Sequence, residues 1–106
     1  MSNSDSVLQE WLAQEQAIRA AQPADGRYAM TAADFADAPG IDHLQALIDG
    51  RCAPPPIGQT MDFLLVEVAP GKAVFQGEPL ARHYNPIGSV HGGWFATLLD
   101  SALGCA

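Results

Sequence analysis

The sequence predicts an α+β domain, and three observations carry that expectation. The run Met61–Ala69 is strand-like, Pro70-Gly71 is turn chemistry, and Lys72–Leu80 can return as a second strand, which together make a hairpin. From about Gly92 to the end, Trp94, Phe95, Leu98, Leu99, Ala102 and Leu103 spread over a broad helical face and supply a packing partner. Residues 1–50 read instead as a helical leader, so the main domain is expected over residues 51–106.

Each element has its own signal. Ser6-Val-Leu-Gln9 reads as a capping box before a helix to about Ala21, with Val7, Leu8, Trp11, Leu12 and Ile18 as its packing stripe. Pro23-Ala-Asp-Gly26 ends that helix, and a short turn of helix is expected at Thr31–Ala36 behind a Thr31 cap. Asp42-His-Leu-Gln45 is a second cap candidate, for a short helix carrying Ile41, Leu44, Leu47 and Ile48 and stopped by Gly50. Pro54-Pro55-Pro56 predicts an extended polyproline segment and marks the boundary between leader and main domain. In the first strand, alternation puts Leu64, Val66 and Val68 on one face and Phe63, Leu65 and Glu67 on the other, so a sheet covered on both sides is expected.

Composition bounds the function. A chain of 106 residues, 48% apolar and 16% charged, suits one compact domain and argues against disorder or coiled coil. Its net charge of −7 repels phosphate backbones and anionic lipid heads, which makes nucleic acid and membrane surfaces poor partners. No basic n-region with an apolar core opens the chain and no apolar run approaches the ~20 residues of a membrane span, so a cytoplasmic protein is expected. Cys52 and Cys105 lack C-x-x-C spacing, and His43, His83 and His91 lack the spacing of a helical metal pair. Unpaired thiols are expected, and neither a metal nor a cofactor.

The informative stretch runs from His83 through Asn85-Pro-Ile-Gly-Ser-Val-His91-Gly92-Gly93 to Asp100 and Gly104. Two adjacent glycines at a helix start cost stability by propensity, which makes sense where backbone N–H groups must approach a ligand. The unpaired donors and positive dipole end of a helix N-terminus suit the polarisation of a carbonyl and the stabilisation of an oxyanion. Spacing alone leaves a plain turn as the simpler account of His91 and the glycines. Asp100 shifts the balance. At ~100° per residue, Gly93, Thr97, Asp100 and Gly104 fall on one narrow stripe with Ser101 beside it, a single acid in a small-residue groove shaped for a ligand or another chain. The eight residues from Gly92 to Asp100 span ~12 Å of helix, too far for both groups to reach one reaction centre within one molecule. An isologous two-fold dimer would bring each Asp100 to the opposite Gly92.

Asn85-Pro-Ile-Gly-Ser-Val-His91-Gly92-Gly93 followed by Leu98-Leu-Asp100-Ser-Ala resembles the signature of hotdog-fold acyl-CoA thioesterases of the phenylacetate-degradation (PaaI-like) family. The similarity extends in pattern over roughly residues 50–106. It implies a hotdog fold, in which an antiparallel sheet wraps a central helix, and a homodimer or tetramer with active sites at the subunit interface. It implies hydrolysis of a small or aromatic acyl-CoA to the acid and CoA. The Gly92 N–H would bind the thioester oxygen, Asp100 would be general base or nucleophile, and His91 and Asn85 would orient the thioester or the water. Gly93, Thr97 and Ser101 are the matching substrate-groove positions. In the family the helix continues and further strands follow, so this sequence is read as the N-terminal portion of such a domain, without residues that complete the acyl pocket and part of the CoA surface.

Two competing readings differ in class. A hotdog enoyl-CoA hydratase would pair an Asp a few residues before a His in the loop, whereas here the loop holds Asn85 and His91 with the acid displaced to Asp100. A non-catalytic acyl-CoA binding module or inert fragment would bind without hydrolysis. Arg82 and His83 read as surface charge at the hairpin end rather than as CoA-phosphate ligands, and Cys105 as a small core residue. Trp94 and Phe95 suit either the core or the border of an acyl pocket.

Overall fold

The computed structural model describes residues 2–22, 33, 36–52 and 54–106. Among the described residues four α-helices and a two-stranded antiparallel sheet follow one another as α1 (Asn3–Ala21), α2 (Gly40–Ile48), α3 (Pro56–Met61), β1 (Phe63–Ala69), β2 (Lys72–Gly77) and α4 (Gly92–Cys105), with a 3-10 turn at Ala81–His83 before α4. The mixed α+β class is as the sequence predicts. The turn expected at Thr31–Ala36 falls largely outside the described residues.

The start of α1 lies four residues earlier than expected. The capping box is Ser2 with Asp5, the Ser2 hydroxyl accepting from the Asp5 N–H and the Asp5 carboxylate accepting from the Ser2 N–H. An acid at the third helical position also meets the positive end of the dipole, which Gln9 behind Ser6 would not. The stripe predicted to pack stays open: Val7, Leu8, Trp11 and Leu12 are exposed, and only Ile18 is buried. Polar contacts seat this helix instead. Gln14 donates to the Val66 carbonyl, Gln76 donates to the Trp11 carbonyl at 2.9 Å, and the Arg19 guanidinium meets both the carboxylate and the carbonyl of Asp62.

At the end of α2, Gly50 does what its position predicts. Its φ of +75° closes a Schellman motif, with the Arg51 N–H on the Ala46 carbonyl at 2.9 Å and the Gly50 N–H on the Leu47 carbonyl. A Cβ there would run into the Ala21 carbonyl oxygen, so the close pass of α1 over this turn also requires glycine. The N-terminus of α2 is capped by no side chain; Pro39 is the N-cap, and Asp42, expected to cap, sits in the first turn.

The polyproline expectation fails at its last residue. Pro55 is the N-cap of α3 and Pro56 opens the helix, where a missing N–H costs no hydrogen bond and a fixed φ favours the helical turn. The helix ends at Asp62 in the left-handed region, φ 57°, which swings the chain into β1.

The hairpin forms with Ala69 opposite Lys72, but the face assignment along β1 needs correction. Leu65 pairs with Phe75 and Glu67 with Val74, so Val66 is an extra residue with none opposite it. This bulge lets Leu65 and Val66 both be buried, where strict alternation would have sent them to opposite faces. The second strand stops at Gly77, before Glu78-Pro79; proline has no N–H to give to the ladder. Helices α1, α2 and α3 contact β1, and α4 contacts β2. Among the described residues the core they enclose is small: Ile18, Ala46, Cys52, Phe63, Leu65, Val66 and Trp94, with one buried polar side chain, His83.

Candidate functional site

The segment from Ala81 to the first turn of α4 is built by local chemistry. Asn85-Pro86-Ile87-Gly88 forms a β-turn closed by the Gly88 N–H on the Asn85 carbonyl at 3.0 Å, with asparagine, proline and glycine at the positions a type I turn favours. The Asn85 N–H reaches the Ser89 carbonyl at 2.7 Å, and the Asn85 amide donates to the Ser89 hydroxyl at 3.2 Å and more weakly to the Val90 carbonyl. An antiparallel bridge between Tyr84 and Val90 closes the loop. The donor nitrogen of Asn85 is therefore committed to shaping the loop. Ile87 stands at its tip, 89% exposed.

His91 is the N-cap of α4. Its Nδ1 accepts the Gly93 N–H at 2.8 Å, its carbonyl accepts the Trp94 N–H, and its own N–H donates to the His83 carbonyl at 2.8 Å. An accepting Nδ1 assigns the ring proton to Nε2 in the neutral tautomer. A Cβ on Gly93 would come within 2.9 Å of that Nδ1, so the capping position of the ring depends on glycine there. Gly92 differs. A Cβ on it would meet nothing within 4 Å, and its N–H has no partner among the described residues. The first turn of α4 thus leaves one exposed donor at the positive end of the dipole, beside an exposed imidazole.

The rest of α4 divides by burial. Trp94 is buried, its indole N–H donating to the Met61 carbonyl at 2.7 Å and its ring edge-on to Phe63 and Phe95. Leu98, Ser101 and Cys105 continue that side, half-buried. On the opposite side Phe95, Leu99 and Leu103 are exposed, Leu103 to 78%. The stripe of small residues runs between the two: Gly93 and Thr97 are half-buried, with the Thr97 hydroxyl donating to the Gly93 carbonyl at 2.7 Å, while Asp100 and Gly104 are exposed. Asp100 and Gly92 share one unbroken helix, about 12 Å apart along its axis. Within the chain nothing brings them together.

His83 corrects the surface reading. It is buried, its Nδ1 accepting the Leu80 N–H at 2.8 Å and its Nε2 facing the Thr60 carbonyl at 2.7 Å. Arg82 stays exposed, as expected, and lies back along the surface to donate to the carbonyls of Thr60 and Gln59. No short-range signal marks this pair, because the carbonyls they meet lie more than twenty residues earlier in the chain. Phe95 is solvent-facing, so of the two aromatics only Trp94 is core.

A cleft of ≈ 460 Å³ lies between α2, the hairpin turn and the C-terminal end of α4, lined by Ile41, Leu44, Val68, Pro70 and Cys105 among others. It sits at the end of α4 away from Gly92. Burial pushes the Cys105 thiol up from its usual range, which lowers its thiolate fraction and fits a packing role. Among the described residues no three His, Cys, Asp or Glu side chains converge as a metal site, and no helix is long and apolar enough to cross a membrane. No protein-family model, curated protein or solved structure matches this chain.

Proposed function

We propose that the chain is an acyl-CoA thioesterase working as a homodimer or tetramer. The observation that carries this reading is the unpartnered Gly92 N–H at the start of α4, with exposed Asp100 eight residues along the same helix. A thioester oxygen accepting the Gly92 N–H has its carbonyl carbon polarised, and the dipole of α4 stabilises the oxyanion formed on attack. Asp100 of a second copy takes a proton from the water that attacks, or attacks itself; the oxyanion then collapses and the CoA thiolate leaves, directly giving the acid in the first case and in the second a mixed anhydride that water hydrolyses to the acid and free Asp100. His91 keeps an Nε2–H free to orient the thioester or the water, while Asn85 acts through the shape of the loop. Gly93, Thr97 and Ser101 line the small-residue side along which an acyl group would lie. The reading carries with it a hotdog arrangement of the complete sheet and helix, and a cytoplasmic setting. Exposed Phe95, Leu99 and Leu103 are consistent with a helix meant to be covered further than one hairpin covers it.

The test is thiol release from aromatic and short-chain acyl-CoA by the full chain and by Asp100→Ala. Turnover that falls ~100-fold or more in the variant, with the oligomer intact by light scattering, is the expected result. Unchanged turnover in the variant, saturable binding without hydrolysis, or full activity from a strict monomer each rejects it.

A further inference from the structure

We propose that His83 is a positioning residue for the Gly92 amide: its ring bridges Leu80 and Thr60 while its own carbonyl holds the His91 N–H, one residue before the exposed donor. The chain of contacts is short and each link is specific. The Nδ1 of His83 accepts from the Leu80 N–H, so the ring proton sits on Nε2 and points at the Thr60 carbonyl, 2.7 Å away. Thr60 belongs to α3, which therefore becomes the fixed reference for the 3-10 turn. Arg82 donates to the same carbonyl and to that of Gln59, so two neighbouring side chains clamp the turn onto the end of α3. With its ring held at both nitrogens and its own N–H on the Leu80 carbonyl, His83 presents its main-chain carbonyl to the His91 N–H, which closes on it at 2.8 Å.

His91 is then held at three points: its N–H on His83, its carbonyl under Trp94, and its Nδ1 on Gly93. The peptide that ends in the Gly92 N–H starts at the His91 carbonyl carbon, so fixing His91 aims the donor. Trp94 locks the same corner from the other side, through its indole bond to the Met61 carbonyl one residue after Thr60. The His83 imidazole offers an acceptor to Leu80 and a donor to Thr60 at once, so a polar side chain stands in the core with both of its nitrogens satisfied. Turnover responds to this only if the Gly92 amide polarises a thioester as proposed above; the position of the amide is measurable without turnover.

Three variants of the full chain separate the roles. His83→Gln keeps a donor at the Nε2 position for Thr60, His83→Asn keeps an acceptor at the Nδ1 position for Leu80, and His83→Leu keeps bulk alone. Amide chemical shifts and hydrogen exchange at residues 91–93 are read alongside kcat and KM per folded molecule. His83→Leu and His83→Asn should shift the Gly92 and Gly93 amides, speed exchange of the His91 N–H ~10-fold or more, and lower kcat ~10-fold or more at unchanged KM; His83→Gln should restore both. If His83→Leu only lowers the melting temperature, leaving these amides and kcat as in the parent, the residue is structural and the proposal fails. Should His83→Leu not fold, the Gln and Asn pair decides: equal behaviour overturns the proposal, and rescue by Gln alone sustains it. A parent chain that shows the amide response but no thioester turnover keeps the positioning role and rejects the thioesterase reading.

Discussion

Helices α1 and α4 both present apolar stripes, yet they are attached to the hairpin by different means. The α1 stripe of Val7, Leu8, Trp11 and Leu12 remains in solvent, and the helix is held through Ile18, an Arg19–Asp62 pair and two glutamine-to-carbonyl bonds. In α4 a single indole is fully inside, with its N–H satisfied and three other rings around it. Counting apolar residues would rank the two helices as equals. What separates them is whether a large side chain finds both an enclosed space and a partner for its polar atom.

The sharpest way to break that contrast is Trp94→Ala, which removes the aromatic centre of the core and strands the Met61 carbonyl. A loss of about 3–5 kcal/mol is expected in urea unfolding, enough to leave a domain of this size largely unfolded. A smaller effect is expected at the point where α1 crosses the end of α2. Gly50→Ala forces a side chain into the left-handed region against the Ala21 carbonyl, for about 1–2 kcal/mol from the backbone alone. The smallest belongs to the exposed stripe: Trp11→Ala should change stability by no more than about 0.5 kcal/mol, although it deletes the largest side chain of α1. A Trp11 effect approaching that of Trp94 would show that the stripe is covered in solution and erase the difference between the helices.

Asp100 and Gly92 extend the same contrast to chemistry. The donor end of α4 is tied down by the loop before it, whereas Asp100 projects from a stretch of helix whose outer neighbours, Leu99 and Leu103, are uncovered. A second copy seated on that side would complete both the packing and the proposed site, so activity and dimer formation should be lost together on dilution.

Much of this was legible in the residues. Asn85-Pro-Ile-Gly88 turns the chain as its side chains demand, His91 with two glycines opens a helix, Gly50 closes one, and Pro70-Gly71 joins two strands. All are decided within four or five residues, where backbone sterics and nearby hydrogen bonds suffice. Capping was legible in kind but misplaced, because Ser2 and Ser6 both satisfy the local pattern and only the acid at Asp5 distinguishes them.

Local sequence was enough for α1, α2, the hairpin and α4, with an acid eight residues after the first glycine of α4, but not for α3, which opens inside the proline run, nor for the end of β2 at Gly77. Only the tertiary structure decided that Val66 bulges, that His83 is inside and bound at both nitrogens, and that Trp94 rather than Phe95 fills the core. The physical reason is range. The Val66 bulge depends on the partner strand, and the burial of His83 and Trp94 on carbonyls more than twenty positions earlier, and a side chain's neighbours across such distances are fixed by packing, not by local preference.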